Sequence, residues 1–580
     1  MGKRNLPVGI EFYKKIIDED YYYVDKTLMI KELIDRQSYV SLFTRPRRFG
    51  KTLALDMIKT FFEQELDDRG NKIDNSHYFD GMKIVLAGEK YMQNMGRYPV
   101  VFLSLKSAKQ PDMATAVWMI KKQIANEYIR HRYVLGSDAM LESEKELFQK
   151  IMALSDDDKL YADAIAFLSK CLAKYHGQKT IILIDEYDVP LENAYFAGFY
   201  KEMSDFLRSL MESSLKTNVD LKFAVITGCI VSANAEPLEE VALLHRKIEG
   251  SIFTGLNNLN VISIISDSFA EYFGFTQLEV SGLLEYYDLG DKTEEVRKWY
   301  DGYCFGKAEV YNPWSVTGFL NGIIADKVVY PRPYWANTSS NSIIKELIEK
   351  ANDSVKAELE DLMSQKTITK PLREEITYED IHSSSDNLWN FLLFTGYLKV
   401  AGSYFDGMQA YVTMTIPNME IRYIYESHIM EWLKLRMKAA DFSDMYDALL
   451  KGDAEGVEGA VKGCLKRCIS FYDEKETFYH GFMIGILANL GEYRLLSNRE
   501  TGDGRADLIL KPLDEQKPAV VLELKYASDG RKLEEECDNA LRQIEEKRYT
   551  DELAEDGCSG IIKYGICFYK KSCKVKCDRS

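Results

Sequence analysis

Residues 45 to 52 read "RPRRFGKT" and end in the residue types that bind phosphate groups. Gly50, Lys51 and Thr52 supply backbone N–H groups, a cation for phosphate oxygens and a hydroxyl ligand for Mg²⁺. Arg45 stands where the general pattern G-x-x-x-x-G-K-[ST] has its first glycine, so this stretch alone could equally be a basic surface turn. Its candidate nucleotide-binding residues are Arg47, Arg48, Phe49, Gly50, Lys51 and Thr52.

A second stretch, "TIILIDEYD", supports the interpretation of the first stretch as a nucleotide-binding loop. It is an apolar strand that ends in Asp185 and Glu186, which match an aspartate that holds Mg²⁺ and a glutamate that activates the attacking water. The two stretches stand in the right order at the ends of strands, where parallel sheets bind ligands. We therefore predict ATP with Mg²⁺, Thr52 and Asp185 as metal ligands and Glu186 as general base. Thr227 ends the next strand and either senses the γ-phosphate or simply leaves the core.

A third group of polar residues lies near the C-terminus. Asp507 precedes the strand "VVLELKY", in which Glu523 and Lys525 project from the same face. Two carboxylates can hold Mg²⁺ and a lysine can orient water and a scissile phosphate, which is the set that phosphodiester hydrolysis needs. The pattern D-x(15)-E-x-K is also common in solvated hairpins, but charges in a largely apolar strand need a partner or a metal. We expect Asp507 and Glu523 to be metal ligands.

The elements that position these residues follow from hydrophobic spacing. The apolar run "YVSLF" is followed by Thr44 and the loop, and the apolar residues of "KTLALDMIKTFFEQEL" recur at helical spacing. Further strands are predicted at 99–105, 180–186 and 222–228, with amphipathic helices between them. This alternation predicts a parallel α/β sheet with the phosphate-binding loop at the end of its first strand.

The middle of the chain is predicted to be mostly helical. The stretch "NLWNFLLFTGYL" reads as a helix that ends near Gly396, and a probable hairpin follows, which suggests a winged-helix-like module. The last part returns to α/β, with a helix near 474–490, strands at 505–511 and 519–527, a charged helix near 531–549 and a strand within 563–571.

The whole chain of 580 residues is too long for one hydrophobic core, so two to four domains are expected. No signal peptide or transmembrane stretch is visible, and scattered cysteines suit a reducing cytosol, so we predict a cytoplasmic protein. Cys464 with Cys468 and Cys573 with Cys577 form C-x-x-x-C pairs without histidines at zinc-finger spacing. The net charge is −17, but charges nearly balance beyond residue 460, which makes that region the better host for nucleic acid.

Seven stretches together resemble the AAA-ATPase-like family that is found in many bacteria. They are "YYYVDKT", "RPRRFGKT", "LIDEYDVPL", "SIFTGLNNL", "WYDGYCFG", "YNPWS" and "YWANTSSN". The resemblance implies a P-loop ATPase of the additional-strand class joined to a C-terminal PD-(D/E)XK nuclease domain. Arginines before G-K-T are usual in that family, whereas the stretch "ANAEPLEEVALLH" looks inserted and leaves open whether Arg246 senses phosphate.

The resemblance also adds residues to the nuclease-like site. Glu476 in "ETFYHG" resembles an additional acidic catalytic residue, and Gln543 resembles the glutamine on the helix after the lysine strand. His480 shares a helix face with Glu476 and is a secondary candidate, although such a histidine is more often structural.

These observations predict an α/β multidomain protein with a P-loop NTPase sheet, a helical and winged-helix-like middle and a restriction-endonuclease-like C-terminal domain. The predicted segments are an N-terminal segment (1–35), an ATPase core (36–270), a helical lid (271–345), a winged-helix-like module (346–430), a helical linker (431–465) and a nuclease-like domain (466–580). The predicted function is an ATPase coupled to a nuclease that acts on nucleic acid, more readily DNA than RNA, with a role in mobile-element or foreign-DNA processing by analogy only. The alternatives are a nucleotide-controlled DNA-binding protein that does not cut and a signalling switch without nucleic acid. No membrane partner is expected, and homo-oligomer formation stays open.

Overall fold

The computed structural model describes residues 2–67, 70–230, 252–253, 256–327, 330–335, 342–350, 352–381, 383–439, 442–465, 476–487, 490–501, 504–514, 516–555, 558 and 560–579. The chain divides into two compact units. Unit 1 comprises Met1–Ser339 and Thr367–Arg422, and unit 2 comprises Ser340–Lys366 and Tyr423–Ser580. Among the described helices none is long and apolar enough to cross a bilayer.

A five-stranded parallel sheet forms the centre of unit 1. Its strands are β1 (Val40–Thr44), β2 (Val100–Ser104), β3 (Thr180–Asp185), β4 (Leu221–Gly228) and β5 (Leu259–Ile262), in the spatial order β2-β3-β4-β1-β5. Every residue of β1 and β3 is buried, as expected for parallel strands that are covered on both faces. The predicted α/β fold is therefore confirmed. Because β4 lies between β1 and β3, the C-terminal ends of these three strands meet at one edge of the sheet.

Two small antiparallel sheets complete unit 1. One contains β6 (Phe275–Thr276), β7 (Tyr303–Phe305) and β8 (Ala308–Tyr311), with β8 in the middle. The other contains β9 (Ile368–Pro371), β10 (Lys399–Phe405) and β11 (Ala410–Thr415), with β11 in the middle. The strands β10 and β11 are the predicted hairpin.

A five-stranded mixed sheet forms unit 2. Its strands are β12 (Tyr493–Thr501), β13 (Gly504–Pro512), β14 (Ala519–Tyr526), β15 (Ile561–Tyr569) and β16 (Ser572–Arg579), which lie in sequence order. Only the pair β14 and β15 is parallel, and the chain between these strands forms the crossover helix that a parallel pair requires.

The α-helices alternate with these strands. In chain order they are α1 (Tyr13–Asp18), α2 (Leu28–Arg36), α3 (Lys51–Phe62), α4 (Lys83–Leu86), α5 (Glu89–Met92), α6 (Met113–Arg130), α7 (Glu142–Met152), α8 (Ala164–His176), α9 (Val189–Ala197), α10 (Tyr200–Met211), α11 (Gln277–Tyr286), α12 (Thr293–Tyr300), α13 (Pro313–Asp326), α14 (Ser342–Lys350), α15 (Asp353–Met363), α16 (Ser385–Phe394), α17 (Met419–Ala439), α18 (Ser443–Lys451), α19 (Ala454–Leu465), α20 (Glu476–Leu487), α21 (Leu533–Glu546) and α22 (Asp551–Glu555). The helix predicted before the hairpin is α16, and the crossover helix of unit 2 is α21.

Side-chain caps fix where several of these helices begin. Asp112, Asn312 and Ser384 each accept a hydrogen bond from a backbone N–H in the first turn of α6, α13 and α16. Thr276 and Glu279 form a reciprocal capping box at the start of α11. Such caps satisfy N–H groups that have no partner within the helix, and each contributes about 1 kcal/mol.

The tyrosine-rich stretch at residues 21–27 has a structural role. The Asp25 carboxylate accepts hydrogen bonds from the backbone N–H groups of Thr27 (2.8 Å) and Lys83 (2.7 Å). The Thr27 hydroxyl in turn accepts from the Ile84 N–H at 3.1 Å. This stretch therefore ties the N-terminal segment to α4, and Tyr22 packs against Tyr286 rather than facing solvent as a base-stacking surface.

A buried carboxylate joins two other motif segments of unit 1. Glu420, which is 0% exposed, accepts hydrogen bonds from the Ser315 hydroxyl at 2.7 Å and from the Trp335 N–H at 2.8 Å. Ser315 belongs to "YNPWS" and Trp335 to "YWANTSSN". Glu420 lies in the first turn of α17, the helix in which the chain passes from unit 1 to unit 2. The contact therefore anchors the start of that helix.

Candidate nucleotide and nuclease sites

The backbone of the "RPRRFGKT" loop turns sharply between β1 and α3. Arg48 and Gly50 both have positive φ angles, 69° and 81°, and α3 begins at Lys51 directly afterwards. Glycine adopts this left-handed conformation without strain, which explains the residue type at position 50. The turn leaves the N-terminus of α3 at the sheet edge, where backbone N–H groups and the helix dipole favour an anion.

Lys51 is folded back onto its own loop. Its Nζ donates hydrogen bonds to the backbone oxygens of Arg45 and Pro46, both at 2.8 Å, and lies 3.7 Å from the Cys229 Sγ. The side chain is buried. A buried ammonium group that is held by two carbonyl oxygens and a thiol sulfur can exchange these neutral partners for an anion.

Asp185 is held by the two hydroxyl residues that the sequence singled out. Thr52 donates to one carboxylate oxygen at 2.7 Å and Thr227 donates to the other at 2.6 Å. Burial raises the pKa of Asp185, and the two hydrogen bonds partly offset that rise. The structure thus brings the ends of β1, β3 and β4 together around one carboxylate.

Glu186 lies next to this cluster with its side chain free. It is half-buried, has a positive φ of 53°, and within the described part of the chain its carboxylate makes no hydrogen bond. Burial, followed by the charge of Asp185, raises its pKa, whereas Lys51 and Lys106 lower it. A half-buried carboxylate without a partner is suited to accept a proton.

The arginines of the loop have different roles. Arg45 is 0% exposed, and its Nη1 donates to the backbone oxygens of Thr44 (2.9 Å) and Ile262 (2.8 Å), while its guanidinium lies over the rings of Phe273 and Phe305. Burial lowers the Arg45 pKa to about 9. Arg45 therefore joins β1 to β5 from inside the core and does not face the phosphate position.

The other loop side chains also contact protein groups. Arg47 forms an ion pair with Glu192 of α9, and the guanidinium of Arg48 lies 4.5 Å from the ring centre of Trp314. Phe49 is buried against Tyr303 and Phe305, so only its backbone is placed to contact a ligand of the loop. The contact between Arg47 and Glu192 was not predicted, because nothing in the spacing of these residues marks them as neighbours.

The C-terminal cluster lies on β13, β14 and α21. One Asp507 carboxylate oxygen accepts a hydrogen bond from the Leu524 N–H at 2.8 Å, which holds Asp507 beside β14. Lys525 lies 3.3 Å from the Glu523 Oε1 and donates to the Gln543 Oε1 at 2.6 Å. The Gln543 amide in turn donates to the Glu523 Oε1. Asp507, Glu523, Lys525 and Gln543 therefore lie together, and their roles in catalysis stay a prediction.

Glu523 has the donor properties that a metal ion would use. It is 2% exposed, and its second oxygen, Oε2, is buried without any hydrogen-bond partner in the part of the chain that the structure describes. Burial and the Asp507 charge raise its pKa to about 7. An unsatisfied buried carboxylate oxygen beside a second carboxylate fits a hard divalent cation such as Mg²⁺.

Of the remaining candidates for this site, the structure places the side chain of His480. Glu476 is the first residue of α20, but its side chain lies outside the described residues, as does Arg246 of unit 1. The His480 Nε2 lies 3.1 Å from the Asp507 backbone oxygen, so His480 contacts the backbone of Asp507 and not its carboxylate. The described residues contain no group of three or more His, Cys, Asp or Glu side chains arranged for a metal.

The two C-x-x-x-C pairs are candidate zinc ligands by residue type. Cys468 lies outside the described residues, whereas Cys573 and Cys577 both lie on β16. Their thiols are 3.8 Å from the backbone oxygens of Glu458 and Asp578, respectively. Residues four apart on one strand are more than ~12 Å from each other, which is too far for one zinc ion.

Comparison with known proteins adds two family matches. Residues 7–235 match the family described as Predicted AAA-ATPase, and residues 474–577 match the PD-(D/E)XK nuclease superfamily. A protein of Azotobacter chroococcum mcd 1, described as an uncharacterized protein in the vnfD 5′ region, is 26% identical over 467 residues, which cover 79% of this chain and 76% of that protein. The first match contains the loop and β3, and the second contains Asp507, Glu523 and Lys525.

Proposed function

We propose that this chain hydrolyses ATP and uses the nucleotide to control metal-dependent cutting of nucleic acid. The proposal is supported by the match of residues 7–235 to the AAA-ATPase-like family and of residues 474–577 to the PD-(D/E)XK nuclease superfamily. The observation that carries the ATPase half is the cluster of Thr52, Asp185 and Thr227 beside Lys51. The observation that carries the nuclease half is the unsatisfied Oε2 of Glu523 beside Asp507.

In the ATPase half, each residue has a task that its surroundings support. The Thr52 hydroxyl and Asp185 would hold Mg²⁺, which neutralises phosphate charge when it is bound. Lys51 would leave the carbonyl oxygens of its loop for the phosphates, and Glu186 would take the proton of the attacking water. Thr227 would keep Asp185 oriented, because it already binds the other carboxylate oxygen.

In the nuclease half, Asp507 and Glu523 would hold Mg²⁺, which would stabilise the attacking and leaving oxygens of the phosphodiester. Lys525 would orient the scissile phosphate and the attacking water. Gln543 would keep Lys525 and Glu523 at a fixed separation, since its amide contacts both side chains. DNA is the expected substrate. The charges beyond residue 460 nearly balance, so a nucleic acid meets less electrostatic repulsion there than over the strongly acidic first 460 residues.

The ATPase half is tested by nucleotide binding and hydrolysis with purified protein. Lys51→Ala should abolish both, and Glu186→Gln should bind ATP but hydrolyse it at least ~100-fold more slowly. Lys109→Ala, at an exposed position beyond β2, is the matched control and should resemble wild type. Normal hydrolysis by Glu186→Gln would contradict the role of Glu186.

The nuclease half is tested with plasmid, linear and single-stranded DNA and with RNA, in the presence of Mg²⁺ or Mn²⁺. Asp507→Asn should not cut any of them, and the control Asp514→Asn, at an exposed turn, should cut like wild type. Retention of DNA without cutting by wild type would favour the binding protein that does not cut. No retention at any salt concentration would favour the signalling switch.

A further inference from the structure

The side chains of the "RPRRFGKT" loop connect it to the remainder of unit 1. The Pro46 ring packs so closely against Gly396, after α16, that a Cβ atom at Gly396 would lie 2.7 Å from the Pro46 Cβ. Phe49 packs on β7, and Arg48 lies over Trp314 of α13. The Pro46 and Phe49 contacts are apolar, so a bound phosphate offers these two side chains no better partner.

Arg47 differs from its neighbours because a carboxylate holds it. Its Nη2 contacts the Glu192 Oε2, and both side chains are partly buried, with 31% and 14% exposure. Glu192 lies in the first turn of α9, the helix that follows Asp185 and Glu186. The ion pair therefore joins the phosphate-binding loop to the segment that carries the predicted general base.

The surroundings of this pair favour an exchange of partners. Glu192 is the group in direct contact with Arg47. Asp188, Tyr378 and Cys229 also raise the Arg47 pKa, but more weakly than Glu192. A guanidinium group binds phosphate through two parallel hydrogen bonds at least as well as it binds a carboxylate, and a nucleotide bound to this loop brings several negative charges. Arg47 cannot keep its full contact with Glu192 and also turn to a phosphate.

An exchange of partners by Arg47 would change the surroundings of Tyr378, which lies close to Glu192. Glu192 is the charge that acts most strongly on Tyr378, a buried tyrosine whose ring packs on Phe391 of α16 and on Tyr195 of α9. The hairpin β10–β11 and the start of α17 follow α16 along the chain. Loss of the ion pair would leave a charged carboxylate beside this aromatic contact.

We propose that Glu192 restrains Arg47 in the nucleotide-free protein and that nucleotide binding transfers Arg47 from Glu192 to a phosphate oxygen. This inference rests on the proposed ATP site and adds its regulation. Glu192 is then a positioning residue that sets nucleotide affinity without touching the nucleotide. The pair is an element with two arrangements, which a nucleotide biases because it binds one arrangement better.

The test measures the affinity of a non-hydrolysable ATP analogue with Mg²⁺ by calorimetry, together with the melting temperature without nucleotide. Glu192→Gln should lower the melting temperature, because an ion pair is lost, but should tighten nucleotide binding about fivefold to tenfold, because Arg47 is released. Glu192→Asp keeps the charge but shortens the side chain, and should also tighten binding. Glu202→Gln, at an exposed position of α10, should change neither quantity.

A double-mutant cycle separates release of Arg47 from a general charge effect. Arg47→Gln should weaken binding, and the further change Glu192→Gln should not restore it. Equal tightening by Glu192→Gln in the presence and absence of Arg47 would overturn the exchange, as would weaker binding by Glu192→Gln alone. No binding by wild type would overturn the proposed ATP site and this inference with it.

Discussion

Replacing Glu420 by glutamine should remove a pH-dependent loss of stability from unit 1. The Glu420 carboxylate is buried and accepts hydrogen bonds from the Ser315 hydroxyl and the Trp335 N–H. These two donors and the Tyr334 N–H lower its pKa, and all three are neutral groups. Burial raises that pKa to about 7 from the usual 4.5. A carboxylate in this position is costly when it is ionised, because the cost of desolvation exceeds the stabilisation by its neutral donors.

The sign and size of the effect follow from proton linkage. Below pH 4.5 Glu420 is protonated in both folded and unfolded protein and contributes no penalty. Between pH 4.5 and about 7 the folded protein binds more protons than the unfolded chain, so stability falls as the pH rises. Above about pH 7 the full penalty persists, and the difference between the two pKa values corresponds to about 3 kcal/mol.

The assay follows thermal unfolding of wild type and Glu420→Gln between pH 5 and pH 8. The other titrating groups are common to both proteins, so the difference between them isolates Glu420. Glutamine can still accept a hydrogen bond from the Trp335 N–H. As the pH rises, the melting temperature of the variant should therefore increase by several degrees relative to that of wild type. Glu309→Gln, on the exposed side of β8, is the control. A wild-type-minus-variant difference that does not change with pH would refute the reasoning.

Two glycine substitutions test the packing that positions the two sites, and a third tests an unpacked helix position. Gly396→Ala places a Cβ 2.7 Å from the Pro46 Cβ at a φ of 90°, so unit 1 should lose about 1–3 kcal/mol and nucleotide binding should weaken. Gly565→Ala places a Cβ 2.4 Å from the Cys537 backbone oxygen, so unit 2 should unfold at lower denaturant concentration, with a loss of about 1–3 kcal/mol. Gly282→Ala, inside α11 with no atom within 4 Å, should instead add about 0.5–1 kcal/mol, measured by the same denaturation.

The strands of the parallel sheet and the polar residues Asp185 and Thr227 at their ends could be predicted, because they follow from local signals. Each strand of the parallel sheet is a short apolar run, and each candidate polar residue stands directly after such a run. The nuclease-like residues were predictable for the same reason, since Glu523 and Lys525 interrupt an apolar strand. Resemblance to the family supplied Gln543, which has no periodic signal of its own.

The roles of the loop arginines could not be predicted, because they depend on contacts between residues far apart in sequence. Arg45 reaches Ile262 and Arg47 reaches Glu192, and no local pattern relates these pairs. The burial of Glu420 could not be predicted for the same reason. A glutamate at the start of a helix is usually exposed and interacts favourably with the helix dipole. Contacts with Ser315 and Trp335, which lie far from it in sequence, hold the buried carboxylate.

The most direct test of the central claim is the rate at which one preparation cuts plasmid DNA with Mg²⁺, measured with and without ATP. The account predicts that ATP changes the rate for wild type, that Lys51→Ala shows no response to ATP, and that Asp507→Asn does not cut under either condition. Cutting by Asp507→Asn would contradict the nuclease site. Equal cutting by wild type with and without ATP, matched by Lys51→Ala, would contradict control of the nuclease by nucleotide.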